Sequence, residues 1–160
     1  MKNKNNRCDW AKGEKDILYH DTEWGNPSYD DIYIFEMLIL EGFQAGLSWT
    51  TVLSKRENFK KAFDNFDYKK ISKYDEKKLN SLLNDEGIIR NRLKVYSTVT
   101  NAKSFITIQK EFGSFSNYIW GFTDNKRIVN KWKNLSEVPA STDLSDKISK
   151  DLKKRGFKFV

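Results

Sequence analysis

The sequence contains one cysteine, one histidine and only two prolines in 160 residues. A lone thiol cannot close an internal disulfide, which suits a reducing cytoplasm. Cys8 and His20 could each ligate a metal, but two ligands make only half of a tetrahedral zinc shell. The bland reading, a packed Cys and a hydrogen-bonded His, carries more weight from these residues alone. No run is long and apolar enough to span a membrane. The basic start MKNKNNR has no apolar stretch behind it, so it does not read as a secretory signal. Strand-like alternation is sparse, and with eight glycines the chain has few breaks in its helical period.

What is present points to an all-α fold. A hydrophobic share of 38%, with five Trp, seven Tyr and eleven Phe, suffices for a real core in a chain of this length. We expect a single helical domain over 1–160, with an N-terminal loop, 1–29, packing on the helical core and a hairpin at about 79–112. The formal charge of +7 fits a polyanionic partner such as nucleic acid, and equally a Lys-rich solvated surface.

The most informative stretch is Leu40–Trp49, LEGFQAGLSW. The run before it, from Ile32 to Leu40, is too apolar all round for a surface helix, so Glu41 is expected deep in the fold. A buried carboxylate is costly unless it is paired, hydrogen-bonded or waiting for a ligand. Gly42 and Gly46 allow a sharp turn and close approach of another backbone, and Trp49 offers a flat face for stacking. Asp30 or Asp31 is the expected cap of this first strong helix and Ser48 the cap of the next, which carries Trp49, Val52, Leu53, Phe59 and Phe63 inward.

A second stretch, LLNDEGIIRNRLK from Leu82 to Lys94, has the outline of a helix-hairpin-helix. In that geometry Gly87 takes a left-handed or otherwise open conformation, and NH groups at the start of the following helix hold a phosphate. Arg90, Arg92 and Lys94 add charge. An ordinary αα-hairpin capped by glycine fits the pattern as well. The helix from about Arg90 to Phe112 presents Leu93, Tyr96, Val99, Ala102 and Ile106 on one face as a core element. Ser114 caps the aromatic segment FSNYIWGF. Thr142 or Ser141 caps a last helix that stops at Gly156.

Several separated motifs together resemble the 3-methyladenine DNA glycosylase I family: RCDW at the start, YHDTEWG at Tyr19–Gly25, LEGFQAGLSWTTVLSKRENF at Leu40–Phe59, GIIRNRLK at Gly87–Lys94 and LSDKISKDLKKRGFKFV at the end. The resemblance covers nearly the whole chain in order. It implies a helix-hairpin-helix DNA glycosylase fold and a cytoplasmic monomer acting on alkylated double-stranded DNA. The implied activity is hydrolysis of the N-glycosidic bond of 3-methyladenine. On these positions it implies Tyr19, Trp49 and Glu41 as the base pocket, with Glu41 the catalytic carboxylate. Leu47, Gln44 and Gly46 are then the wedge that enters the duplex, and Gly87, Arg90, Arg92 and Lys94 the phosphate contacts.

The sequence departs from the family pattern twice. Asp16 stands where members often carry a second aromatic, which weakens one wall of the pocket. Members also continue past FKFV to a His and a Cys that complete a structural zinc site. The resemblance therefore carries zinc over only to Cys8 and His20, and core surface is expected to be exposed where the further segment packs. The alternative is a non-catalytic DNA-binding helix-hairpin-helix module.

Overall fold

The computed structural model describes residues 7–160, and among them the regular structure is helical, with no strand. The order is α1 (Glu14–Thr22), α2 (Asp31–Gln44), α3 (Trp49–Ser54), α4 (Arg56–Ala62), α5 (Tyr68–Ile71), α6 (Glu76–Leu83), α7 (Arg92–Phe112), α8 (Phe115–Gly121) and α9 (Asp143–Lys154). The segment 1–29, expected as loop, thus contains a helix. Its polar surface and Gly13 hide the short period that buries Asp16, Tyr19 and His20 on one side.

Capping residues fix most helix starts. Asp30 accepts from the Ile32 NH, Ser48 from Thr51, Asp75 from Lys78, Asn91 from Lys94 and Ser114 from Asn117. Thr142 and Ser145 form a reciprocal capping box. Each such cap contributes about 1 kcal/mol. Asp31, the other expected cap of α2, accepts instead from the NH groups of Phe115 and Ser116 and from Gln109, tying α2 to α7 and α8.

The core is built on phenylalanine. Phe35, Phe43, Phe59, Phe63, Phe66, Phe105 and Phe115 are fully buried, and α2, apolar nearly all round, packs against α3, α7 and α8. Each of these rings removed would cost about 3–5 kcal/mol. The inward face of α7 is Val95, Thr98, Ala102, Phe105 and Ile108, rotated from the expected one; Leu93 is 72% exposed at the helix start. Lys55 divides the expected long helix into α3 and α4.

Gly42 does not loosen α2, which runs through it to Gln44. A side chain there would meet the backbone of Phe159 at 3.3 Å, so this glycine serves close approach of the C-terminal segment. That segment is held to α7 by Asn101, which donates to the Lys158 carbonyl and accepts from its NH. Gly46, with φ of +79°, makes the turn.

Candidate active site

The contact of α1 with α3 brings Tyr19 and Trp49 together, their ring centroids 5.3 Å apart and inclined at 54°. Ser48 caps α3 and so fixes where Trp49 starts it; the Gly46 turn before it leaves Leu47 44% exposed. Glu41 lies close enough to Tyr19 for its charge to act on the phenol. Burial first, then the carboxylates of Glu41 and Glu23, push Tyr19 up to about 12, so it stays a protonated donor.

Glu41 is not deep in the fold: it is exposed at the rim of a groove of about 260 Å³. The other walls are mainly apolar, from Leu38, Ile148, Leu152, Phe159 and Val160. Desolvation by these neighbours raises its carboxyl above the usual glutamate value. Among the described residues it has no salt-bridge partner. The acid that the apolar run does bury is Glu36, 7% exposed and five residues earlier on another face of α2. The same argument, that an acid inside an apolar run needs a partner, applies to Glu36 and leads to Arg56.

Arg56 joins α4 to α2 and to the end of α1. Its Nε donates to Glu36 at 2.6 Å and its Nη1 to Glu23 at 2.8 Å, while the Tyr33 hydroxyl donates to the other Glu23 oxygen at 3.0 Å. Desolvation works against the charged form of Glu23, but the Arg56 hydrogen bond and charge outweigh it and hold the carboxyl below its usual range. Asp16, instead of lining an open wall, is 3% exposed; its Oδ2 accepts from Thr50 Oγ1 at 2.9 Å, and among the described residues its Oδ1 is without a partner, as is Trp49 Nε1.

Trp10 packs edge-on to His20 and Trp24, and His20 stacks on Trp24 at 5.2 Å. Cys8 and His20 are neighbours: the Cys8 NH points to His20 Nε2 at 3.3 Å, and His20 Nδ1 lies 2.9 Å from Asp21. Both ring nitrogens are therefore engaged within the chain. Among the described residues no three His, Cys, Asp or Glu side chains converge as metal ligands. The pair as arranged does not fit a tetrahedral zinc site.

The expected hairpin is α6, the connection 84–91 and α7, with α6 packed on α7. Gly87 is not left-handed. Its NH donates to Asp85 at 2.8 Å, and a side chain there would come within 3.2 Å of Asn58, so close packing on α4 explains the glycine and its NH is already satisfied. Arg90 and Arg92 are exposed, Arg92 lying over the Tyr96 ring. Lys94 is the clearest departure from expectation: it is 7% exposed, and its Nζ donates to the carbonyls of Phe43 and Ala45. An ammonium turned inward in this way does not face a phosphate. A larger cleft of about 450 Å³, between Phe122 and the charged face of α9, contains none of the expected site residues.

Residues 10–160 match the family model described as methyladenine glycosylase. The chain is 46% identical over 156 residues to DNA-3-methyladenine glycosylase of Haemophilus influenzae, covering 96% of this chain and 84% of that protein. It is 44% identical over 155 residues to DNA-3-methyladenine glycosylase 1 of Escherichia coli strain K12, covering 96% and 83%. Its fold superposes on a crystal structure of 3-methyladenine DNA glycosylase I with a TM-score of 0.93 at 44% identity, covering 96% of this chain and 85% of that one. The Staphylococcus aureus enzyme, solved to explain 3-methyladenine recognition, gives 0.90 at 34% identity, covering 92% and 79%.

Proposed function

Because the chain belongs to the methyladenine glycosylase family, we propose that it acts as a DNA repair glycosylase, hydrolysing the N-glycosidic bond of 3-methyladenine in alkylated duplex DNA. One observation within the molecule carries this reading: Tyr19 packs against Trp49, and the Glu41 carboxylate, without a salt-bridge partner among the described residues, lies close enough for its charge to act on Tyr19.

The arrangement suits a base taken out of the stack. Leu47, presented on the Gly46 turn with Gln44 assisting, enters the gap in the duplex. Trp49 stacks on the extruded base and Tyr19 closes the pocket over it. Glu41 accepts hydrogen bonds from the edge of the alkylated base. Methylation has already placed positive charge on that base, so it departs without a strong general acid, and water attacks the sugar. A carboxylate in a desolvated rim favours this cation over neutral adenine. Arg90 and Arg92 contact phosphates without reading sequence.

The non-catalytic alternative has less support, because Tyr19, Trp49 and Glu41 are all present and the matched relatives are named glycosylases. Among the described residues no helix is long and apolar enough to cross a membrane, and the protein works in the cytoplasm as a monomer. Zinc is at most weakly held by Cys8 and His20 in this chain. The deciding experiment is incubation with methylated duplex DNA and identification of the released base by mass. Release of 3-methyladenine is the expected result; DNA binding with no base released favours the non-catalytic module.

A further inference from the structure

Lys94 is the third residue of α7, where a cation faces the unfavourable positive end of the helix dipole. Its backbone NH is satisfied by Asn91, so the side chain is not needed there. The ammonium instead crosses to the C-terminal end of α2, donating to the carbonyls of Phe43, at 3.0 Å, and Ala45. The last turn of α2 has no basic residue of its own, so Lys94 supplies the positive charge which that end of the helix favours.

The two carbonyls bracket Gln44. From that residue the backbone leaves the helix at Ala45, turns at Gly46, and returns a hydrogen bond from the Leu47 NH to the Gln44 carbonyl at 2.7 Å. A single buried side chain thus ties the base of the Leu47 turn to the start of α7, three residues after Asn91 and next to Arg90 and Arg92. Leu47 itself is 44% exposed, and its turn starts from the Phe43 and Ala45 carbonyls that Lys94 holds, with the Phe43 ring anchored in the core against Phe59 and Phe63.

We propose that Lys94 is a positioning residue for base extrusion, fixing the wedge turn against the hairpin that grips the backbone. This rests on the glycosylase reading above. Extrusion requires the wedge to enter the duplex at a set distance from the held phosphates. A turn free to shift on the end of α2 would lose that distance while leaving the pocket intact. Lys94 therefore acts on the step that takes a base out of duplex DNA, not on the binding of a base that is already free.

The test uses the full chain, with Lys94→Met to remove the charge at similar volume and Lys94→Arg to restore a donor. Three quantities are measured: excision of 3-methyladenine from duplex DNA, affinity for the free base, and the salt dependence of duplex binding. Lys94→Met is expected to lower excision by about tenfold, the usual effect of losing a buried charged hydrogen bond. Free-base affinity and the salt slope should stay unchanged, and Lys94→Arg should recover part of the rate. In a Leu47→Ala background, Lys94→Met should cost little more, since both act on one step. Unchanged excision by Lys94→Met overturns the proposal. So does an equal loss of free-base affinity, which marks a general structural role, or a salt slope lowered by about one, which marks a phosphate contact. If Lys94→Met does not fold, Lys94→Arg and Leu47→Ala are read as a cycle, and full additivity overturns the coupling. Failure of the unaltered chain to release 3-methyladenine refutes the glycosylase reading itself.

Discussion

Tyr19 and Trp49 meet from α1 and α3 with centroids 5.3 Å apart, and the indole Nε1 of Trp49 is buried without a hydrogen-bond partner among the described residues. An aromatic held in this way contributes through its face. Trp49→Ala should weaken binding of free 3-methyladenine by about 1–3 kcal/mol, the value of a base–aromatic stack. Isothermal titration with the free base measures it. Unchanged affinity removes Trp49 from the pocket.

Glu41 links catalysis to pH. Its carboxyl is raised by desolvation, and holding a cationic base requires it charged, so excision should fall on the acid side at a pH above the usual glutamate range. Glu41→Gln keeps the shape and removes the charge. It should lower kcat/KM by about tenfold or more and abolish that acid limb. Stability should move the other way. A folded-state value above the unfolded one means that the stability associated with protonated Glu41 is present at low pH and lost as pH rises through the folded value. At pH 7 Glu41→Gln should therefore melt no lower than the unaltered chain, and the difference should close below the ordinary glutamate value. Full activity in Glu41→Gln would falsify the role given to this carboxylate.

Much of this was legible in the residues because the signals were local. Asp30, Ser48, Ser114 and Thr142 are caps whose partners lie two or three positions away, and each was readable without knowledge of the fold. The juxtaposition of Tyr19, Glu41 and Trp49 came from family resemblance rather than from spacing. What stayed hidden depends on distant partners. Lys94 reads as one more basic residue in GIIRNRLK until Phe43 and Ala45 are placed beside it, 51 and 49 positions away in the chain. Gly87 reads as a left-handed or otherwise open position in a hairpin, yet what leaves no room for a side chain there is Asn58 on α4 together with Asp85. The depth assigned to Glu41 belongs to Glu36, because α2 continues through Gly42 and turns Glu41 toward the groove.

The metal content of the chain follows from Cys8 and His20. With one ring nitrogen of His20 receiving the Cys8 NH and the other against Asp21, zinc would have to displace contacts already made and still find two more ligands. The 160-residue chain, dialysed against a mild chelator, should hold well under one zinc per molecule by elemental analysis. Its melting temperature should not rise on adding zinc, since metal that binds only the folded state would raise it. One zinc retained per monomer would mean that carboxylates and water supply the missing ligands.

Arg56 ties the end of α1, the helix that carries Tyr19, to α2 and α4. Its side chain is 12% exposed and its two acids' side chains 9% (Glu36) and 28% (Glu23), so its removal leaves Glu36 only the looser Lys60 ammonium at 3.9 Å and Glu23 only the Tyr33 hydroxyl. Breaking a buried pair from one side costs about 3–5 kcal/mol; because Glu23 is partly wet, Arg56→Met should fall near the lower end, about 3 kcal/mol. For a domain of this size each kcal/mol shifts the melting temperature by about 2–4 °C, giving a fall of roughly 6–12 °C. The sign of the pH dependence is separable from the size. Glu23 lies below its usual range in the folded state, so its contribution is present above the unfolded value and is lost as pH falls through the folded one. In Arg56→Met that acid-labile part should be missing, and the stability difference from the unaltered chain should narrow as the pH is lowered below the glutamate range. Thermal melts of both chains from neutral to acid pH measure this. A difference that stays constant with pH would mean that Arg56 acts through packing of its aliphatic stem, with its charge contributing nothing.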